Sequence, residues 1–180
     1  MNEAVIVSAV RTPVGRGKKD GSLANVHPAD LAAAVIKAST DRAGVSGEKV
    51  DDVLLGCAMP EGSQGLNVAR NAALAAGFPV DASAATINRF CSSGLQSVAS
   101  AVQAVMSGMQ DVVVAGGVEM MSQVPMSGYH TRLHPALTES YIGMGFTAER
   151  VAERWGVNRA DQDQFAVDSH RKGAAAWAAG

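Results

Sequence analysis

The chain has 180 residues, 47% of them apolar and 18% charged, with a formal net charge of −2 at neutral pH. That length suits one domain with a substantial core and an appendage rather than two full domains, and the composition suits a buried α/β protein rather than a disordered one. The small net charge gives no electrostatic case for nucleic acid or an anionic membrane surface as a partner.

Ala4-Val-Ile-Val-Ser-Ala-Val10 is a short apolar run rich in β-branched residues and reads as a buried strand. Arg11 to Gly21 forms a loop whose glycines lack any phosphate-binding spacing. His27-Pro-Ala-Asp30 leads into a helix that ends at Gly44. Val50 to Cys57 is a second strand, Asn67 to Ala76 a second helix closed by Gly77, and Ala84 to Asn88 a short extended piece. Ser93 to Met106 is a long helix with Leu95, Val98, Ala99, Val102, Val105 and Met106 at helical spacing. After Gly108, Asp111-Val-Val-Val-Ala-Gly-Gly117 is the clearest buried strand. This alternation implies a parallel or mixed sheet with helices on both faces. From about Glu119 the pattern turns irregular until two helices, Gly145 to Trp155 and Asp161 to about Ala179, the second with Asn158 at its start as N-cap.

Two cysteines, Cys57 and Cys91, do not make a disulfide framework in a chain this long. The opening residues show no basic leader region or cleavage site, and no apolar stretch approaches the roughly 20 residues that span a bilayer. A soluble cytoplasmic protein with no membrane association is the expectation.

Cys57 follows a strand and reads as a buried structural thiol. Cys91 sits where an extended segment turns into the long helix. A thiol there feels the positive end of the helix dipole and unsatisfied backbone N–H groups, conditions that favour a nucleophilic thiolate. Ser92, Ser93 and Gly94 leave room for a substrate carbonyl, and the N–H of Cys91 could itself donate to an oxyanion. Position alone leaves both a buried helix-start cysteine and a nucleophile open, because nucleophilic catalysis also needs a base. None of His27, His130, His134 and His170 is placed beside Cys91 by sequence, and two loop histidines are too few ligands for a metal site, so no metal is expected.

The run Asn88-Arg-Phe-Cys91-Ser-Ser-Gly94-Leu-Gln96 resembles the nucleophile motif of thiolases. Gly65-Leu-Asn-Val-Ala-Arg70-Asn-Ala-Ala-Leu74, Val114-Ala-Gly-Gly117-Val-Glu-Met-Met-Ser122, Met144-Gly-Phe-Thr-Ala-Glu149 and Asp161-Gln-Asp-Gln-Phe-Ala166 also resemble thiolase segments, in family order. The opening Val7-Ser-Ala-Val-Arg11-Thr-Pro-Val-Gly15 is typical as well. Gly117-Val-Glu-Met-Met-Ser-Gln-Val-Pro125 is more similar to degradative 3-ketoacyl-CoA thiolases than to acetoacetyl-CoA thiolases. Gly143, where the latter carry a histidine before the methionine, points the same way.

The resemblance implies an α/β thiolase-like fold: two βαβαβαββ halves stacked in five αβαβα layers, with a loop domain inserted for coenzyme A. Residues 1–118 would be the N-terminal half carrying the nucleophile, and residues 119–180 the start of the loop domain. Cys91 would accept the acyl group, and Met144 and Phe146 match positions lining the acyl and pantetheine region. The implied activity is thiolytic cleavage of 3-ketoacyl-CoA in fatty acid β-oxidation, with acyl-CoA and coenzyme A as substrates and no cofactor. Self-association as a homodimer or homotetramer is expected, because half of a stacked core leaves a large apolar patch. The family's Gly-His-Pro base, Cys-x-Gly acid and Asn-Glu-Ala-Phe segment have no counterpart here. They are expected from a C-terminal half, and the 180-residue chain alone is expected to be inactive. The alternatives are a non-catalytic thiolase-fold fragment or subunit, an acetoacetyl-CoA thiolase, and a decarboxylating condensing enzyme of the same superfold.

Overall fold

Val53, Leu55 and Cys57 alternate with Leu54 and Gly56, so this strand has two faces to cover. The computed structural model, which describes residues 2–180, covers both. Three parallel strands, β1 (Asp52–Gly56), β2 (Ser83–Ile87) and β3 (Val113–Gly117), form one sheet in the order β2-β1-β3. Leu54 pairs with Ala85 on one side and Ala115 on the other. Helices α1 (Pro28–Ala43), α2 (Val68–Ala75) and α3 (Ser93–Ser107) alternate with these strands along the chain.

On one face Val53, Leu55 and Cys57 pack in a single cluster with Ala29, Ala32 and Ile36 of α1 and the small residues of α2. Alanines let these helices lie close to the sheet, so the core needs few aromatics. The other face receives α3. A Cβ on Gly56 would stand 2.3 Å from the Ser93 carbonyl carbon and 2.4 Å from the Gly94 nitrogen, a backbone-on-backbone approach that only glycine permits.

Local chemistry sets the helix ends. The Nδ1 of His27 accepts from the Ala29 N–H at 3.2 Å, and Pro28 fills the first helical position. Gly44 closes α1 at φ 65° and Gly108 closes α3 at φ 76°. The entry to β3 is fixed by Asp51, whose Oδ2 accepts from the N–H groups of Asp111 at 2.7 Å and Val112 at 2.9 Å.

The run Ala4–Val10 departs from the expected buried strand. It is not paired as a strand, and Val5, Ile6 and Val7 are 71%, 79% and 69% exposed. A groove of about 810 Å³ is bounded by this run on one side and by β3, α1 and α3 on the other. A strand exists only when a neighbour takes its N–H and C=O groups, and the groove leaves this run without one. For the same reason β3, read as fully buried, is half-buried. The parallel sheet with helices is as expected; its opening strand is not formed.

The chain divides into two compact units, one ending at Thr131 and the other spanning Arg132–Gly180. The second contains a short 3-10 segment (Pro135–Tyr141), α4 (Met144–Trp155) and α5 (Arg159–Ala179). The segment before α4 has no regular sequence pattern. It is organised by His134, whose Nδ1 accepts from the Ala136 N–H at 3.3 Å, the same His-Pro cap that opens α1. Asn158 caps α5 by accepting from the Asp161 N–H at 2.9 Å.

Gly56→Ala should cost about 3 kcal/mol, because the clash is with backbone and cannot relax by a rotamer change; an unchanged urea midpoint would refute the close approach. The two N–H groups of Val112 and Asp111 hold the Asp51 carboxyl below its ordinary range. Its ionised form therefore favours the folded state, a contribution present above the unfolded value and lost as pH falls through the lower folded value. Asp51→Asn should flatten the fall in urea midpoint below about pH 4, and an unaltered acid slope would rule out this contribution.

Candidate active site

The site begins where β2 stops at Ile87. Asn88 turns the chain by accepting the Phe90 N–H on its Oδ1 at 2.9 Å. Phe90 then takes a left-handed conformation at φ 46°, which costs a non-glycine residue on the order of 1–3 kcal/mol and persists only where neighbours enforce it. A single 3-10 turn, Phe90–Ser92, leads directly into α3. The Ser93 hydroxyl enforces the bend by accepting the Arg89 N–H at 2.8 Å and donating to the Phe90 carbonyl at 2.6 Å.

Cys91 stands at the top of this turn and is exposed, which removes the reading of a buried helix-start cysteine. It follows the carboxyl end of a parallel strand, the edge of an open α/β sheet where ligands characteristically bind. The turn is anchored from below. Ser97 is fully buried, with its hydroxyl 2.7 Å from the Gly94 carbonyl and 2.6 Å from the Gly116 carbonyl, so the first turn of α3 is tied to the end of β3.

Cys57 is the opposite case. It is 1% exposed, and burial first and the neighbouring Glu119 carboxylate second push its thiol up to about 12. It stays protonated across the physiological range, consistent with a structural thiol. Both cysteines are free.

Glu119 belongs to a network that sequence reasoning missed. Its carboxylate accepts from the N–H groups of Ala58 at 2.6 Å and Met59 at 3.3 Å, and from the Gln64 side-chain amide at 2.9 Å. Gln64 is fully buried; its amide also donates to the Met59 carbonyl at 2.8 Å, and its Oε1 accepts the Met120 N–H. The carboxylate thus joins the segments leaving β1 and β3. The available signal was a lone glutamine inside Gly62-Ser-Gln-Gly65, which has no partner within its own motif.

Met144 and Phe146 lie in the first turn of α4, in the second unit, 80% and 71% exposed. His27 and His134 serve as helix caps, while His130 and His170 are exposed. Among the described residues, no three His, Cys, Asp or Glu side chains converge as metal ligands.

The family model described as thiolase, N-terminal domain, matches residues 4–180. The chain belongs to the thiolase family. It is 54% identical to a 3-ketoacyl-CoA thiolase of Bacillus subtilis strain 168, over 100% of this chain and 47% of that protein. An acetyl-CoA acetyltransferase of Cupriavidus necator is 44% identical, over 100% of this chain and 49% of that one. Among solved structures, the Bacillus anthracis acetyl-CoA acetyltransferase matches with a TM-score of 0.79 at 39% identity, covering 95% of this chain and 46% of that one. The thiolase fold is therefore shown, and the chain spans about half the length of the relatives it matches. Among the described residues, no helix is long and apolar enough to cross a membrane.

With Cys91 exposed and Cys57 buried and held protonated, iodoacetamide at pH 8 should alkylate Cys91 faster by at least about tenfold. Peptide mapping of the labelled chain reads this directly, and equal rates would dismiss Cys91 as the reactive thiol.

Proposed function

We propose that the protein is an acyltransferase that cleaves 3-ketoacyl-CoA with coenzyme A, using Cys91 as the nucleophile. The observation that carries this is an exposed thiol on a strained, doubly anchored turn between a parallel strand and a long helix. In a family whose relatives are named 3-ketoacyl-CoA thiolase, that is where an acyl-accepting sulfur is useful.

The Cys91 thiolate attacks the 3-keto carbon, and the carbonyl electron pair moves to oxygen, where the Cys91 N–H is one donor to the oxyanion. Collapse breaks the Cα–Cβ bond. The bonding pair leaves with the acetyl-CoA fragment, which takes a proton from a general acid, and the acyl group remains on sulfur. The thiol of a second coenzyme A gives its proton to the general base and attacks the acyl-cysteine, giving an acyl-CoA two carbons shorter and returning the cysteine thiolate. The base and acid would come from the C-terminal half that the relatives carry, since among the described residues no histidine is hydrogen-bonded to Cys91. Met144 and Phe146 would line the acyl and pantetheine region, with coenzyme A as substrate and no further cofactor. A self-associated, cytoplasmic enzyme of fatty acid β-oxidation completes the reading.

An acetoacetyl-CoA thiolase is the second reading, favoured by the two relatives named acetyl-CoA acetyltransferase. Gly143 in place of a histidine before Met144 weighs against it.

Two outcomes test the proposal. Acid-quenched mass spectrometry after incubation with an acyl-CoA at pH 8.5 should find the acyl group on Cys91, and an adduct confined to Cys57 would sink the assignment. The 180-residue chain by itself should release no coenzyme A-dependent product from acetoacetyl-CoA or longer 3-ketoacyl-CoA. Efficient Cys91-dependent turnover would show that the acid and base lie within this half after all.

A further inference from the structure

The Phe90–Cys91 peptide is held from one side only. The Phe90 carbonyl receives both the backbone N–H of Ser93 and its hydroxyl, the latter at 2.6 Å. The same hydroxyl oxygen accepts the Arg89 N–H at 2.8 Å, so it bridges the two sides of the left-handed residue. Ser93 is 4% exposed, and its hydroxyl both donates and accepts in this turn.

A trans peptide is planar, and its C=O and N–H point in opposite directions. Drawing the Phe90 carbonyl toward Ser93 therefore turns the Cys91 N–H away from α3. The hydrogen bonds of this turn use the N–H groups of Arg89, Phe90, Ser92 and Ser93, and none uses that of Cys91. Among the described residues, the Cys91 amide therefore has no acceptor within this turn.

The geometry points to Ser93 as the positioning residue for the oxyanion donor of Cys91: its hydroxyl, acting through the Phe90 carbonyl, aims the Cys91 N–H. This rests on the reading of Cys91 as an acyl-accepting nucleophile. Ser93 touches no reacting atom. It fixes a dipole in advance, so stabilising the tetrahedral intermediate requires no reorganisation when the thiolate attacks. The role also differs from thiol activation, because it concerns the carbonyl oxygen and not the sulfur.

That difference supplies the test. Acylation of Cys91 by p-nitrophenyl acetate proceeds through a tetrahedral oxyanion that collapses to expel p-nitrophenolate. Alkylation by iodoacetamide displaces iodide at a saturated carbon and makes no oxyanion. Both rates are measured on the 180-residue chain at pH 9, with folding followed by circular dichroism and by protection of Cys57 from alkylation. Ser93→Ala should lower the acylation rate about tenfold, less than the loss of a whole donor because the Ser93 N–H still holds the Phe90 carbonyl. Its alkylation rate should stay within about twofold of the unsubstituted chain, and Ser93→Thr, which keeps the hydroxyl, should restore acylation. A proportional fall in both rates, or unchanged acylation, overturns the proposal. Should the alanine variant fail to fold, the threonine variant decides: a wild-type ratio supports the role, and a folded variant with a lowered ratio overturns it. If the unsubstituted chain shows the same acylation-to-alkylation ratio folded as in urea, the nucleophile reading itself fails and takes this proposal with it.

Discussion

The feature on which the site depends is the backbone contact between the end of β1 and the first turn of α3 at Gly56. A Cβ at Gly56 would lie inside the van der Waals envelope of Ser93 and Gly94, and one at Gly117 would crowd the Gly56 carbonyl oxygen at 3.1 Å. Without side chains in the way, α3 descends onto the carboxyl end of the sheet. That descent lets Ser97 reach Gly116 and brings Ser93 under the turn that carries Cys91. Two glycines on the strands and two serines on the helix make one joint, and the thiol is displayed at its top.

This joint accounts for a conformation that would otherwise be unfavourable. Phe90 in the left-handed region is strained, and hydrogen bonds on both sides keep it there: Asn88 takes its N–H and Ser93 its carbonyl. Strain held by a buried hydroxyl suits a turn that must present one atom in one orientation. The Glu119–Gln64 network acts on the same end of the sheet. With three N–H donors, and no cation in contact among the described residues, the carboxylate ties the segments leaving β1 and β3 to each other.

How much of this was legible in the sequence follows from the range of each interaction. Gly44, Gly108 and Asn158 end or start helices through contacts within a few residues, and pattern alone located them. The helix after Cys91 was equally local, and the ordered motifs supplied the family. Ala4–Val10 shows the limit. Its composition favours a strand, but a strand also needs a neighbour, which composition cannot provide. Glu119 and Gln64 are 55 residues apart, and neither hints at the other. The two serines after Cys91 were visible as small residues that leave space. Their hydroxyl bonds, which follow from how far α3 descends toward Gly56, were not.

The two cysteines show how much the local field decides. Both follow strands of the same sheet, and neither is oxidised. Cys57 continues straight from β1 into the core, where its sulfur lies 3.7 Å from a Glu119 oxygen. Desolvation and a nearby negative charge both oppose thiolate formation, so this sulfur is inert by two independent causes. At the end of β2 the chain turns back instead, at Asn88 and Phe90, and Cys91 emerges at the N-terminal end of α3 with no carboxylate bonded to it among the described residues. The sheet therefore leaves one cysteine buried and displays the other through the turn that follows each strand, and the turn after β2 rests on Ser93.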